Sequence, residues 1–214
     1  MRIRVTFSKT GALRYIGNLD LHTIWERAAR RAGLPLAYTQ GFHPQPKINL
    51  ASPLPLGFSS RCEMVDMRLN EDVDLAGLSA RLQSAMPSGV GIIKVEQVDE
   101  RAPALQTQVV AAEYEVTLTE AADRSGLKRK MDELLASESL MRERRGKQYD
   151  LRPLVEELSL TPVPLPLEEG KGVRVHMRLA AREGATGRPE EVLDALGIPI
   201  EEARVERTKL IFKN

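Results

Sequence analysis

Strand-like and helix-like segments follow one another in the same order in both halves of this chain. The first half begins with Ile3, Val5 and Phe7 alternating with polar residues, the two-residue period of a half-buried strand. A helical stripe, two strand patterns, a second helical stripe and a last strand pattern follow, which is the β-α-β-β-α-β order of the ferredoxin-like plan. The sequence therefore predicts an α+β fold of two tandem ferredoxin-like halves with antiparallel sheets, at residues 1–103 and 109–214.

The first helix is the clearest single element. Asn18 is its predicted N-cap and Gly33 its predicted C′ residue, with Pro35 just beyond. Its apolar stripe has helical spacing and consists of Leu21, Ile24, Trp25, Ala28 and Ala32. A connector with five prolines and two glycines follows at 34–60, and KINLA (47–51) within it is predicted to be a short strand. Connectors of this length are uncommon unless they serve a function.

The remaining segments have less regular patterns of apolar residues. Asp74 is the predicted cap of a second helix that ends at Pro87. Residues 100–112 are predicted to be a connector, either irregular throughout or already extended at its end. In the second half, Pro153 is predicted to open a short helical turn within 152–158.

The single cysteine excludes several kinds of chemistry. Cys62 alone cannot form an internal disulfide, a three-thiolate iron–sulfur site or a cysteine-rich zinc site. Neither a G-x-x-x-x-G-K-[ST] loop nor a G-x-G-x-x-G motif is present. We therefore expect no metal and no cofactor. A lone thiol and the lack of an apolar run of about 20 residues favour a cytoplasmic protein without a membrane partner.

The basic residues are concentrated locally. The whole chain has a formal net charge of +1 and a pI near 7.9, below the pI of about 9 that is typical of nucleic-acid binders. Residues 1–50, however, contain eight Lys and Arg against two acidic residues. Arg27, Arg30 and Arg31 share one helix face, which is either a phosphate-binding surface or a solvated face.

The predicted contact surface combines that helix with the connector. His43 lies in the loop QGFHP, where it is a candidate RNA contact, a candidate general base or only a hydrogen-bonding group. No catalytic residue is assigned. The residues predicted to contact RNA or another substrate are Arg14, Tyr15, Asn18, Arg27, Arg30, Arg31, Gln40, His43 and Lys47.

A second basic cluster occurs in the other half. Arg142, Arg144, Arg145 and Lys147 are predicted to lie on a turn between two extended segments, as a phosphate track or a charged hairpin. The GATG segment at 184–187 precedes a predicted helix, so its N–H groups either meet an anion or form a flexible turn.

The segment RYIGNLDLHTIWERAARRAGLPLAYTQGFHPQPKINLASPLPLG (14–57) resembles the opening signature of the radical-SAM-linked protein family. The segments YDLRP (149–153) and GRPEEVL (187–193) also resemble it, and the likeness covers nearly the whole chain. That bacterial family is a domain of unknown function, found alone or joined to a B12-binding-type radical SAM protein. The resemblance implies a radical SAM partner and no reaction of this chain's own.

The double ferredoxin-like plan is also similar to the RAMP superfamily of RNA-binding proteins and endoribonucleases. Its glycine-rich loop before the last strand has no counterpart in LGIPIEEARV (196–205). We therefore predict a non-catalytic RNA- or substrate-binding accessory protein that acts with a radical SAM enzyme, for which RNA modification is a candidate reaction. The alternatives are a metal-independent endoribonuclease that uses His43 and a structural adaptor for the radical SAM protein.

Overall fold

The computed structural model describes residues 1–118, 123–161, 173–182 and 184–213. It divides the chain into two compact units, the N-terminal unit (1–109) and the C-terminal unit (110–214). Each unit combines helices with antiparallel strand pairs, so the predicted α+β class is confirmed. No helix within the described ranges is long and apolar enough to cross a membrane.

The N-terminal unit has a four-stranded sheet in which β3 lies between β1 and β2, and β4 lies on the other side of β1. All three neighbouring pairs are antiparallel. The first helix therefore joins two strands that a third strand separates, which is the split βαβ arrangement. The elements are β1 (Arg2–Lys9), a 3-10 turn (Gly11–Tyr15), α1 (Asn18–Arg31), β2 (Ile48–Leu50), β3 (Ser59–Arg68), α2 (Leu78–Ala85), β4 (Val90–Val98) and α3 (Leu105–Gln108).

The core of this unit combines the two-residue apolar period of β1 with the helical apolar period of α1. Ile3, Val5 and Phe7 alternate along β1 and are all fully buried. The apolar stripe of α1 packs against the same core, where Trp25 meets Phe7 edge to face at 4.8 Å between ring centroids. Such a ring pair adds about 1 kcal/mol beyond the burial of its apolar area. The predicted strand and the predicted helix thus pack together in the core of the unit.

Two predicted helix starts are wrong. Gly17, not Asn18, is the N-cap of α1, because its carbonyl accepts the first helical hydrogen bond from Leu21 while Asn18 is already helical. The second helix begins at Leu78 rather than after Asp74. The Asp74 carboxylate accepts a hydrogen bond from the Ala76 N–H at 2.8 Å and forms a local turn outside the helix.

The end of α1 agrees with the prediction. Ala32 is its C-cap, and Gly33 follows with a φ of 68°, a left-handed conformation that glycine adopts without steric cost. The short strand predicted within 47–51 is β2, and the predicted connector at 100–112 contains the four-residue helix α3.

The C-terminal unit repeats the element order with one inserted hairpin. Its sheet has the order β8-β9-β5-β11, and the short β10 also pairs with β9. The hairpin β6–β7 forms a separate two-stranded sheet. The elements are β5 (Val109–Leu118), α4 (Arg124–Ala136), β6 (Met141–Arg144), β7 (Lys147–Asp150), a 3-10 turn (Arg152–Leu154), β8 (Val155–Leu160), β9 (Arg174–Arg182), β10 (Ala185–Thr186), α5 (Pro189–Leu196), a 3-10 turn (Ile200–Glu202) and β11 (Ala203–Phe212).

The helical turn predicted at 152–158 is only half right. A 3-10 turn covers Arg152–Leu154, but the next residues form β8. The register of β8 against β9 shifts between Val155 and Glu157, so Val155 and Leu158 are both buried. This irregularity gives a strand the three-residue apolar spacing of a helix.

Candidate nucleic-acid interface

The outer face of α1 carries three exposed arginines. Arg27, Arg30 and Arg31 lie opposite the buried stripe that contains Trp25, as their spacing requires. Neither Arg27 nor Arg31 forms an ion pair or a side-chain hydrogen bond with any residue in the part of the chain that the structure describes. Both guanidinium groups are therefore available to an external anion.

Arg30 connects this helix to the connector. Its guanidinium donates hydrogen bonds of 3.2 and 2.9 Å to the hydroxyl of Tyr38 and lies 5.9 Å from the centre of that ring. The Glu26 carboxylate lies 2.8 Å away on the helix. The hydrogen bond to Tyr38 raises the pKa of Arg30 above its ordinary value, and the Glu26 charge adds to this effect. Arg30 thus positions the connector, and the Glu26 carboxylate already compensates part of its positive charge.

The connector folds into a closed loop beside Arg30. Tyr38 and Pro46 form an isolated antiparallel bridge, and the Thr39 N–H donates to the Gln45 carbonyl at 2.9 Å. The Thr39 hydroxyl accepts a hydrogen bond from the Gln45 N–H at 2.9 Å. These bonds hold the tip, residues 40–44, at the end of a short stem.

Polar and aromatic side chains at this tip are exposed. Gln40 and His43 lie on the tip, and Lys47 follows the stem. Phe42, absent from the predicted contact set, has a completely exposed ring. An exposed ring beside guanidinium groups is a surface on which an unpaired base can stack. We call Arg27, Arg30, Arg31, Tyr38, residues 40–44 and Lys47 the α1 surface.

Three predicted contact residues lie elsewhere. Arg14 donates a hydrogen bond of 2.8 Å to the Tyr15 hydroxyl, and the Gly57 N–H donates to the Arg14 carbonyl. Asn18 is exposed at the start of α1. At 1.5 Å per residue, Asn18 and Arg30 are about 18 Å apart along the helix axis. Asn18 and Arg30 therefore lie towards opposite ends of α1.

The sequence-based charge count included cations that are not at the surface. Arg2 is 3% exposed, and its guanidinium lies 2.6 Å from a carboxylate oxygen of Asp66. Arg4 contacts the other oxygen of the same carboxylate at 2.8 Å. Arg2 also donates to the carbonyls of Ala102 and Pro103. These two arginines therefore stabilise the N-terminal unit through Asp66.

Lys9 is likewise an interior residue. Its side chain is only 1% exposed, and its ammonium group donates a hydrogen bond of 3.0 Å to the Ile16 carbonyl. Three of the eight basic residues in 1–50 are thus structural. Of these eight residues, the four exposed ones are Arg27, Arg30 and Arg31 in α1 and Lys47 after the loop stem.

His43 and His176 have different surroundings. His43 is exposed, and among the described residues no side chain forms a hydrogen bond with its ring. His176 lies 3.9 Å from Glu157 on the polar side of β9. The described ranges also contain no cluster of three His, Cys, Asp or Glu residues that could hold a metal ion.

One solved structure has a similar fold at low sequence identity, and a second match has a TM-score below 0.5. A chain of a Cbf5–Nop10–Gar1 complex is 10% identical with a TM-score of 0.52, over 97% of this chain and 48% of that one. A chain of an H/ACA RNP bound to a substrate RNA containing 2′-deoxyuridine is 11% identical with a TM-score of 0.48, over 97% and 47%. This chain thus spans about half the length of those proteins. At this identity the likeness shows the fold alone.

The chain matches one bacterial protein family over most of its length. No curated protein matches the chain. One family model, described as an uncharacterized protein conserved in bacteria (DUF2344), matches residues 2–189. That range includes the described elements from β1 to β10 and the whole α1 surface. The chain therefore belongs to the DUF2344 family of bacterial proteins.

Proposed function

We propose that this protein is a non-catalytic RNA-binding accessory protein and that the α1 surface is its RNA contact. The observation that carries the proposal is the pair of exposed guanidinium groups of Arg27 and Arg31, which have no partner among the described residues, beside the loop that carries Phe42. Guanidinium groups bind phosphates through two parallel hydrogen bonds, and exposed rings stack on unpaired bases. Single-stranded RNA presents both phosphates and unpaired bases.

The electrostatics favour a moderate, salt-sensitive affinity. The net charge of the whole chain is only +1, so long-range attraction is weak and binding depends on a few local phosphate contacts. Arg30 and Tyr38 fix the loop against the helix before any ligand arrives, which reduces the entropy that binding must offset. His43, Gln40 and Lys47 complete the surface as hydrogen-bonding groups.

The partner in this proposal is a radical SAM enzyme. It rests on the resemblance of residues 14–57 to the radical-SAM-linked family, which includes chains joined to such enzymes. In this role the protein holds an RNA for a reaction that its partner performs. The fold likeness to solved structures is not part of the support, which comes from the side chains of α1 and its loop.

The test is a filter-binding measurement with a short single-stranded RNA at low salt. The variant R27Q/R31Q should bind about ten to a hundred times more weakly than the wild type, because it loses two phosphate contacts. The matched control is R129Q/R204Q, which removes two exposed arginines from the C-terminal unit. Equal affinities of both double variants, or no binding by the wild type, would refute the proposal.

A structural adaptor is the second candidate. Tyr15, Leu19 and Leu56 are exposed large side chains, with exposed fractions of 61%, 83% and 63%, in and near the N-terminal end of α1. Exposed apolar side chains of this kind occur at protein–protein contacts. Pull-down of a radical SAM partner that survives R27E/R31E and RNase but is lost in Leu19→Ser/Leu56→Ser would favour this function over RNA binding.

A further inference from the structure

A basic cleft in the C-terminal unit is a second candidate site. The hairpin β6–β7, the 3-10 turn after it and the segment around β10 enclose a cleft of about 440 Å³. Clefts of about 300–1,000 Å³ are the usual size for small ligands. Its lining contains one carboxylate, that of Asp150, and four basic side chains: Arg144, Arg145, Lys147 and Arg188.

The carboxylate in this cleft is already engaged. Asp150 accepts hydrogen bonds from the backbone N–H groups of Leu140 and Arg152, at 2.8 and 3.0 Å. The first of these bonds is the main cause that lowers the pKa of Asp150. Its charge thus stabilises the base of the hairpin, while none of Arg144, Arg145 and Lys147 pairs with a carboxylate among the described residues.

The hairpin presents its cations on the side that faces the cleft. Arg144 is the cross-strand partner of Lys147, and Arg142 is the partner of Tyr149, so all four side chains share one face. Arg142 contacts the carboxylates of Glu191 and Asp194 on α5. This contact fixes the hairpin over α5, so the cleft exists without a ligand.

The turn of the hairpin has an unusual residue at its first central position. Arg145 has a φ of 50°, the one positive φ of a non-glycine residue in the described ranges, and Gly146 follows with a φ of 73°. Positive φ at both positions indicates a type I′ turn, for which Asn, Asp or Gly is preferred. A residue held against its conformational preference suggests a function for its side chain.

We propose that this cleft binds a phosphate group through Arg144, Arg145 and Lys147. Three such cations repel one another in a partly enclosed space. A phosphate group, which carries two charges in a small monoester and one in an RNA backbone, relieves that repulsion while accepting several hydrogen bonds. Arg188, 3.6 Å from Glu190, lines the opposite wall beside Thr186. The phosphate belongs either to a small phosphorylated ligand or to an RNA backbone.

Calorimetric titration of the full chain in a low-salt buffer without phosphate tests this inference. The probes are pyrophosphate, adenosine 5′-monophosphate and a short RNA without a terminal phosphate. Saturable binding of either small probe identifies a small phosphorylated ligand. Binding of the RNA alone identifies backbone phosphates at this cleft only if R144Q/K147Q weakens it in a protein that already carries R27Q/R31Q. The variant R144Q/K147Q should lose about tenfold or more in affinity for the probe that binds. The double variant R129Q/R204Q should change it by less than about twofold.

A second variant separates binding from folding. Arg145→Asn places a preferred residue in the turn, so its melting temperature should equal or exceed that of the wild type while the affinity falls. The variant R27Q/R31Q should keep the wild-type affinity for a small probe, so this site and the α1 surface can fail independently. No saturable binding of any probe, or equal losses in R144Q/K147Q and R129Q/R204Q, would overturn the proposal.

Discussion

Two pairs of arginines in the N-terminal unit have the same chemistry and opposite environments. Arg2 and Arg4 on β1 share the carboxylate of Asp66, whose side chain is 2% exposed. Arg27 and Arg31 on α1 are exposed and have no partner among the described residues. The first pair belongs to the folded interior, and the second is available to a ligand. The difference shows that a local count of basic residues does not measure a binding surface.

Substitutions of the two pairs should differ as strongly in their effect on the free energy of unfolding. Removing one partner from a buried ion pair leaves the other charge without compensation, which costs several kcal/mol. An exposed arginine loses little when it is neutralised, because water already solvates it. Substitutions of the interior pair should therefore change the free energy of unfolding, and those of the exposed pair should change binding.

Asp66→Ala should have the largest effect on stability. It leaves two guanidinium groups near a buried site without their carboxylate, so the free energy of unfolding should fall by about 3–5 kcal/mol. Urea unfolding followed by circular dichroism measures this change. Asp132→Ala is the control, since its carboxylate pairs with Lys128 at the surface and is 61% exposed. A similar small loss for both variants would contradict the structural role of Asp66.

Arg2→Met should be the next most damaging substitution. It removes the hydrogen bonds to Asp66, Ala102 and Pro103, and we expect a loss of about 2–3 kcal/mol. Arg4→Met should cost less, about 1–2 kcal/mol, because the Arg4 side chain is more exposed than that of Arg2 and water can partly replace its hydrogen bonds to Asp66. The same unfolding curves rank the two variants. The reverse ranking would show that the contacts with 102–103 do not stabilise the unit.

Tyr38→Phe should have a smaller effect. It deletes the hydroxyl that accepts two hydrogen bonds from Arg30 at an exposed position, which is worth about 0.5–1 kcal/mol. The loop tip should also become easier to cleave, because its stem loses its tie to α1. Limited proteolysis at residues 40–44, compared with Phe42→Ala as a variant that keeps the tie, measures this change. Equal cleavage rates in wild type and Tyr38→Phe would mean that Arg30 does not position the loop.

The elements with local patterns could be predicted from the sequence. The alternation of Ile3, Val5 and Phe7 and the apolar stripe around Trp25 indicated β1 and α1, because burial on one face imposes a fixed period. Gly33 marked the end of α1 because few other residues adopt its conformation. The irregular register of β8 could not be predicted, since it depends on the pairing with β9.

The candidate site was less predictable than the fold. Whether Arg2 is a surface cation depends on Asp66, which lies 64 residues away in the sequence and opposite β1 only after β3 has paired with it. The contact between Arg30 and Tyr38 needed the folded connector, although Tyr38 stood near the arginines in the sequence. The exposure of Phe42 had one available signal, its position between Gly41 and His43 in a loop.

The salt dependence of RNA binding tests the central claim most directly. For single-stranded RNA, the slope of log K against log salt decreases in magnitude by about 0.7 for each phosphate contact that is lost. The variant R27Q/R31Q should therefore have a slope shallower by about 1.4 than the wild type and an unchanged free energy of unfolding, within about 0.5 kcal/mol. A slope identical to that of the wild type would show that the α1 surface does not bind RNA phosphates.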